Sequence, residues 1–480
     1  MNAAGKASGS PANPTSTLFD PAFLSASLKS LPVPPGARCC IAYSGGLDSH
    51  VLLHALCSLR DEYSFRLRAV HINHGLHPDA RQWSEHCAHV CDELGVALAV
   101  RDVDIKRDSG ESTEAAARQA RYAALSQELQ EGEYCLTAQH ADDQAETLLL
   151  QLLRGAGMHG LAGMPALTTF GPGRLGRPLL GVSRSALAVY AAQHGLVWKH
   201  DPSNDDSRFD RNYLRNEVMP LIYARWPSAA HALSRSATHA ASAAEMLDQQ
   251  GMRDLAAVRA HALHGYSVCL ACLDVALIRQ LPGPRQANAL RCWIRNHGIK
   301  LPSNARLTTV QENLLRDNQS GSGEVQWTGA ALRRDGDLLF LCRQPHPKQP
   351  TADGSIAWDP ASLLELPGHD LVLQATVVTG QGCALSRLEG RHLTVRWRQG
   401  GETCRMAAGF GRKPLRKVFQ DLGIPTWQRD TVPLVYLDDE LVAVSHYWVN
   451  PHMLPAAHAN GIVFSAHSTQ HVSIENIRTL

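Results

Sequence analysis

From Arg38 to about Arg225 the chain alternates short apolar runs with helical stretches. Arg38–Tyr43 reads as a strand, and Arg66–Ile72 as a second with period-two character. Arg81–Leu94 is amphipathic and stops at Gly95, Val96–Val103 is a third strand, and Glu114–Leu129 is alanine-rich and helical. Tyr134–Ala138 is a fourth strand, Asp142–Leu153 a helix, and Ser183–His194 a further helix closed by Gly195. Such alternation has few folding solutions. Parallel strands need a crossover, and a helical crossover covers one face of the sheet. The pattern therefore predicts an α/β fold, a doubly wound, mostly parallel sheet with helices on both faces.

The 480 residues leave room for more than this one domain. Residues 1–35 are expected as a disordered tail, because Met1–Pro14 is Ala, Gly, Ser, Asn and Pro. The α/β domain is assigned 36–226. A helix-led middle domain follows at 227–343, with helices over Pro227–Gly251 and Gln286–His297. A β-hairpin is expected over Gly323–Leu341, its arms Val325–Trp327 and Leu338–Leu341. A linker at 344–368 leads to a small α+β domain at 369–480. No run of about 18 apolar residues exists, which argues against a membrane span. Twelve scattered cysteines without a secretory signal suit a reducing cytoplasm. Cys269 and Cys272, the one C-x-x-C, lack a second pair at zinc spacing, and buried thiols are expected there; His86, Cys87, His89 and Cys91 could hold a metal, but a helix surface with two half-buried cysteines is the better reading.

The first strand runs directly into Ser44-Gly45-Gly46-Leu47-Asp48-Ser49 and then into the apolar Val51–Leu56. Two glycines let the backbone approach an anion, and the helix start offers N–H groups and a partial positive charge. Ser44 and Ser49 add hydroxyls, and Asp48 adds a carboxylate able to hold Mg2+. Without Gly-Lys-Ser/Thr this is not a Walker loop. It resembles the phosphate loop of the N-type ATP pyrophosphatases, which split ATP to AMP and pyrophosphate and adenylate a substrate.

Ligands of an open parallel sheet lie beyond the strands' carboxyl ends, and three more polar clusters fall at such ends. His71-Ile72-Asn73-His74-Gly75 can hydrogen-bond a nucleotide, although a merely structural loop explains it equally well. His140-Ala141-Asp142-Asp143-Gln144-Ala145-Glu146-Thr147 opens a helix, with Asp143 and Glu146 on one face. Such carboxylates complement a helix dipole, but a pair beside a nucleotide site also suits a cationic substrate. In Asp201–Asn216 a polar loop precedes Arg211 and Arg215, four apart and able to hold phosphate. A solvated charged surface is the commoner meaning of such a run.

SGGLDS, HINHGL, HADDQAETLLLQLLRGAGMHGLAGM and DPSNDDSRFDRNYLRNEVMP stand here in the order found in tRNA(Ile)-lysidine synthetases. The resemblance covers Arg38 to Pro220 and reaches, more weakly, Arg396–Glu402 and Gly411–Gln420. His77 stands where family members often carry Arg. The resemblance implies a reaction in three parts. ATP adenylates the 2-oxygen of the wobble cytidine of tRNA(Ile) with anticodon CAU, the ε-amino group of free L-lysine attacks C2, and AMP leaves. It implies ATP and Mg2+ at Ser44, Gly45, Gly46, Leu47, Asp48 and Ser49, with His71 and Asn73 near the nucleotide. Lysine would be held by Asp143 and Glu146, with Arg118 or Arg121 as further candidates for lysine or phosphate. His140, Asp142 and Arg211 would complete the catalytic set, and Arg215 would contact tRNA or phosphate. A cytoplasmic location follows, and a homodimer is left open.

Net charge is +1, yet Arg387–Asp430 holds ten Lys+Arg against four Asp+Glu, net +6. Arg396, Arg398, Arg412, Lys413, Arg416 and Lys417 in this stretch are expected to meet tRNA phosphates. A tRNA thiolase would need sulfur-carrying cysteines in the nucleotide domain, whereas the C-x-x-C lies outside it. A small-molecule amidating synthetase would not need the basic domain. A catalytically dead RNA binder would not need the intact loop with Asp48.

Overall fold

The computed structural model describes residues 19–73, 80–103, 113–200, 202–258, 269–316, 322–343, 355–366, 371–407 and 411–468. His74, Gly75, His77 and Asp201 of the polar clusters lie outside them. The chain divides into two compact units, Met1–Met246 and Leu247–Leu480.

The first unit is the α/β domain. Its strands are β1 (Arg38–Ala42), β2 (Arg66–Asn73), β3 (Ala97–Asp102), β4 (Tyr134–Leu136), β5 (Leu167–Phe170) and β6 (Gly173–Gly176). Their order is β3-β2-β1-β4-β6-β5, parallel throughout except the β5–β6 hairpin. Alternate residues of one strand feed opposite cores. Cys39, Ile41, Ala69 and Leu136 join one buried cluster, and Cys40, Val70 and Cys135 join another. The helices of this unit are α1 (Pro21–Ser30), α2 (Leu47–Ser58), α3 (Arg60–Tyr63), α4 (Ala80–Glu93), α5 (Thr113–Glu128), α6 (Ala141–Leu153), α7 (Met158–Leu161), α8 (Arg184–Gln193), α9 (Asp210–Tyr213), α10 (Met219–Arg225) and α11 (Ala229–Val258), the last crossing into the second unit. The chain builds outward from β1 to β3, then returns to place β4 on β1's other side. The order thus reverses between β1 and β4, the switch point where such sheets bind ligands.

Residues 19–35, expected within a disordered tail, are structured. Asp20 caps α1, accepting the Phe23 N–H at 2.7 Å, and Pro21 sits in the first helical turn. Leu24 and Leu28, four apart, are fully buried with Phe19, Leu31 and Val33 in the main core. Their apolar spacing outweighs the polar composition of the residues before them.

In the second unit, β7 (Cys269–Asp274), β8 (Ser322–Trp327), β9 (Ala330–Asp335) and β10 (Leu338–Arg343) form an antiparallel sheet in the order β7-β10-β9-β8. The expected two-armed hairpin therefore carries an extra strand, β9, between its arms. The helix Gly283–Asn296 packs Leu290, Trp293 and Ile294 with Leu332, Leu339 and Leu341. The C-terminal part pairs two antiparallel sheets over one core. Part of the expected linker is structured. Ile356–Trp358 pairs with Leu393–Arg396, and Leu364–Leu366 with Leu371–Leu373, because Trp358 and Leu366 are buried in that core. Residues 344–354 lie outside the described set.

Candidate active site

The loop after β1 is braced by its own serines. Ser49 Oγ donates to the Gly46 carbonyl at 3.0 Å and lies 3.0 Å from Ser44 Oγ, and the Ser44 N–H reaches it at 3.2 Å. Gly45 has φ +79°, a conformation natural to glycine, and its carbonyl accepts the Lys199 N–H at 3.0 Å. Cys87 of α4 lies directly behind: a Cβ on Gly45 would stand 2.8 Å from Cys87 Sγ. Gly46 precedes α2 without a side-chain cap, so the first-turn N–H groups stay available to an anion. Leu47 turns its side chain into the core and offers its backbone alone.

Asp48 lies in the first turn of α2 with Oδ1 buried and without a hydrogen-bond partner among the described residues. Its Oδ2 is 3.6 Å from His140 Nε2, and the Arg184 guanidinium approaches Oδ1 at 4.0 Å. A buried carboxylate oxygen without a hydrogen bond is a hard ligand able to take a metal cation.

His140 ends the β4 segment and caps α6, its N–H donating to Asp143 Oδ2 at 3.1 Å. The ring is 1% exposed and faces three carboxylates: Asp48 at 3.6 Å, Asp142 at 3.6 Å and Asp143 at 3.4 Å. Burial opposes its charge, but Asp143, Asp142 and Asp48 outweigh burial and raise the pKa to about 10. The carboxylates therefore favour the protonated ring, while the Asp143 N–H approaches Nδ1 at 3.4 Å in the capping arrangement at the start of α6. Asp142 is the reverse case. Burial opposes its charge, yet His140, the Arg184 N–H at 2.8 Å and the Tyr223 hydroxyl at 2.8 Å hold its pKa down at about 2.

Asp143 and Glu146 share a face of α6, as their spacing requires, and both are clamped. Arg211 Nε donates to Glu146 Oε2 at 2.9 Å, and its Nη2 to Asp143 Oδ1 at 3.1 Å and the Asp143 carbonyl at 3.3 Å. Arg215 donates to Glu146 Oε1 at 2.7 Å, Glu146 Oε2 at 2.9 Å and Asp143 Oδ1 at 2.7 Å. Burial works against the Arg215 charge, but Glu146 and Asp143 raise its pKa overall. Asp143, despite burial, is lowered by His140, Arg211 and Arg215. Arg215 stands on a π-helical turn, Leu214–Val218, closed by the Met219 N–H on the Leu214 carbonyl. Pro220 follows and has no N–H for the ordinary i→i−4 bond, so it suits such a turn.

The other nucleotide-side residues differ in kind. His71 is buried, with Nδ1 3.0 Å from the Tyr43 carbonyl and 3.6 Å from Cys87 Sγ, so it ties β2 to the end of β1. Asn73 donates to Asp102 at 2.8 Å. The Arg118 and Arg121 guanidiniums lie 4.9 and 6.0 Å from the Tyr122 ring, whose hydroxyl accepts from Gln139. Burial first, then Arg118 and Arg211, lower the Arg121 pKa. Sequence reasoning missed Cys87, Arg184, Lys199 and Tyr223. Each reaches the site from a distant segment, and no local motif marks it.

In the basic stretch Arg398 pairs with Asp430 at 3.1 Å, Lys413 with Asp421, and Arg396 with Asp439 at 3.1 Å while lying 4.6 Å over the Tyr436 ring. Arg412 is exposed on the strand Arg412–Pro414. Arg416 and Lys417 are exposed on the helix Leu415–Asp421, whose Leu415, Val418 and Phe419 are buried.

A family profile described as PP-loop domain matches residues 23–222. Those described as TilS substrate binding domain and TilS substrate C-terminal domain match 273–340 and 393–466. A tRNA(Ile)-lysidine synthase of Coxiella burnetii is 42% identical over 85% of this chain and 89% of its own. One of Alkalilimnicola ehrlichii is 42% identical over 86% and 90%. Among solved structures, a U34-tRNA thiolase of Methanococcus maripaludis aligns over 45% of this chain and 78% of its own, at 15% identity and TM-score 0.37. A parallel sheet with an uncapped Gly-Gly helix start at its switch point defines the first unit as a PP-loop ATP pyrophosphatase domain. With relatives this similar over nearly their whole length, the chain belongs to the tRNA(Ile)-lysidine synthase family.

Proposed function

We infer that the protein is an ATP-dependent ligase that forms lysidine in tRNA, joining lysine to C2 of the wobble cytidine of tRNA(Ile) with anticodon CAU. The observation that carries this reading is the bridge made by His140, 3.6 Å from Asp48 and 3.4 Å from Asp143. It joins a phosphate-binding loop and an amine-binding acidic pair in one site. The cytidine 2-oxygen attacks the α-phosphorus of ATP and pyrophosphate leaves; the neutral ε-amine of lysine then attacks C2, AMP leaves with the C2–O bond electrons, and the amine proton is released. The Ser44–Ser49 backbone binds the departing pyrophosphate. Asp48, through the Oδ1 that carries no hydrogen bond among the described residues, would hold Mg2+, which would neutralise phosphate charge there. Asp143 and Glu146 receive the amino groups of lysine. His140, whose protonated form the three carboxylates favour, holds Asp48, Asp142 and Asp143 in register. Arg412, Arg416 and Lys417 meet tRNA phosphates. Among the described residues no helix is long and apolar enough to cross a membrane, which supports a cytoplasmic enzyme.

The test uses the purified protein, ATP, labelled L-lysine and an unmodified tRNA(Ile) transcript with anticodon CAU. AMP, pyrophosphate and labelled tRNA are expected. ADP formation, or label transfer that survives replacement of the wobble cytidine, would overturn the reading.

A further inference from the structure

Residue chemistry assigns Arg211 and Arg215 to phosphate and Asp143 and Glu146 to lysine, yet these four side chains hold one another. All four carboxylate oxygens are engaged. Asp143 Oδ1 accepts from both arginines, Asp143 Oδ2 from the His140 N–H, Glu146 Oε1 from Arg215, and Glu146 Oε2 from both arginines. The four charges balance. An arriving ammonium would find every oxygen already accepting and two guanidiniums beside them, so lysine binds better once one of these donors leaves.

The geometry distinguishes the candidates. The His140 N–H belongs to the backbone and cannot leave. Arg211 is anchored a second time on the Asp143 carbonyl at 3.3 Å. Arg215 holds the two carboxylates through three bonds of 2.7 to 2.9 Å, with no backbone tether among the described residues. Its side chain is 27% exposed and that of Arg211 21%, whereas Glu146 is 2% exposed, so either guanidinium has a way out, the carboxylate does not, and the backbone anchor of Arg211 makes the difference. Arg215 also stands on the π-turn Leu214–Val218, a helix irregularity often found at functional sites.

We propose that Arg215 is an internal stand-in for the lysine substrate: it fills the acidic pair until nucleotide phosphate draws its guanidinium away, so that lysine binds after ATP. This rests on the reading of the site given above. A guanidinium exchanges carboxylate for phosphate with the same planar fork, and the phosphate loop is one side chain distant, across His140. The exchange keeps both sites charge-balanced: the triphosphate gains a cation, and the carboxylates are freed for the amino groups of lysine. Lysine and nucleotide binding are then coupled, and by linkage each tightens the other by the same factor.

The test titrates L-lysine into the full-length protein by calorimetry. The titration is made with the protein alone, with a saturating non-hydrolysable ATP analogue and Mg2+, and with the tRNA(Ile) transcript alone. Lysine affinity is expected to rise about tenfold or more with the analogue, within the usual range of coupling, and not with tRNA alone. Arg215→Ala is expected to bind lysine tightly without nucleotide and to lose the dependence. Should that variant fail to fold, the reciprocal titration in the unaltered protein decides, with lysine expected to tighten analogue binding by the same factor. Lysine binding that is equal with and without the analogue overturns the proposal. So does tightening by tRNA alone, or a folded Arg215→Ala protein that binds lysine no better than the parent. If labelled lysine still enters tRNA, such results remove this inference and leave the function standing. Absence of lysine binding in every state removes the reading beneath it.

Discussion

Gly45→Ala isolates the geometry of the phosphate loop. At φ +79° an alanine takes on a left-handed strain of about 1–2 kcal/mol. Its methyl would also stand 2.8 Å from Cys87 Sγ, a fully buried sulfur held against His71 at 3.6 Å, and overpacking of this kind costs roughly 1–3 kcal/mol. The cheapest relief is for the loop to move away from α4, which spoils the anion-binding backbone. A combined penalty on the order of 2–5 kcal/mol, at about 1.4 kcal/mol per decade, predicts a fall of roughly 30- to 4,000-fold in kcat/KM for ATP. The assay is pyrophosphate release against ATP concentration at saturating tRNA and lysine, with a thermal melt to verify the fold. Cys87→Ala removes the sulfur but not the backbone strain, so the double variant is expected to recover about tenfold and not the whole loss. Gly45→Ala within twofold of the parent, or a double variant with no recovery, would refute the reasoning.

Other predictions follow from the same contacts. The His140 pKa is raised to about 10 from 6.5, so its ion pairs contribute fully below pH 6.5 and fade as pH rises towards 10. Asp142, lowered to about 2 from 3.8, contributes above pH 3.8 and loses its effect as pH falls through 2. The melting temperature is therefore expected to fall between pH 7 and 9, and His140→Gln to flatten that fall; parallel curves would show that His140 is not held as a cation. Asp143→Asn is expected to raise the KM for lysine at least tenfold and to change ATP binding less, measured by steady-state kinetics. Equal effects on both substrates would remove Asp143 from the lysine site. Arg416→Gln with Lys417→Gln is expected to lower the slope of log affinity against log salt for tRNA by about 2, read from filter binding. Leu24→Ala is expected to cost about 2–5 kcal/mol in a denaturant titration, whereas a disordered tail would register nothing.

The α/β class, the phosphate loop and the acidic turn were legible in sequence because each is local. Strand–helix alternation, a Gly-Gly helix start and a three-residue carboxylate spacing all constrain neighbours along the chain. Within about a turn of backbone they leave little choice. The N-terminal helix and the strands at Ile356–Trp358 and Leu364–Leu366 were not legible as structure, since single apolar residues in polar surroundings gain meaning once a core exists to bury Leu24, Trp358 and Leu366. The charge state of the site was decided by tertiary structure alone. Whether His140 is a base or a cation depends on bringing Asp48, Asp142 and Asp143 within 3.6 Å of a ring shut off from water, and Asp48 comes from a strand–helix unit far earlier in the chain. Whether Asp143 and Glu146 await an amine or already hold one depends on Arg211 and Arg215, more than sixty residues away. Coulomb interactions among buried groups follow distance in space, and distance in space is what the sequence alone does not state.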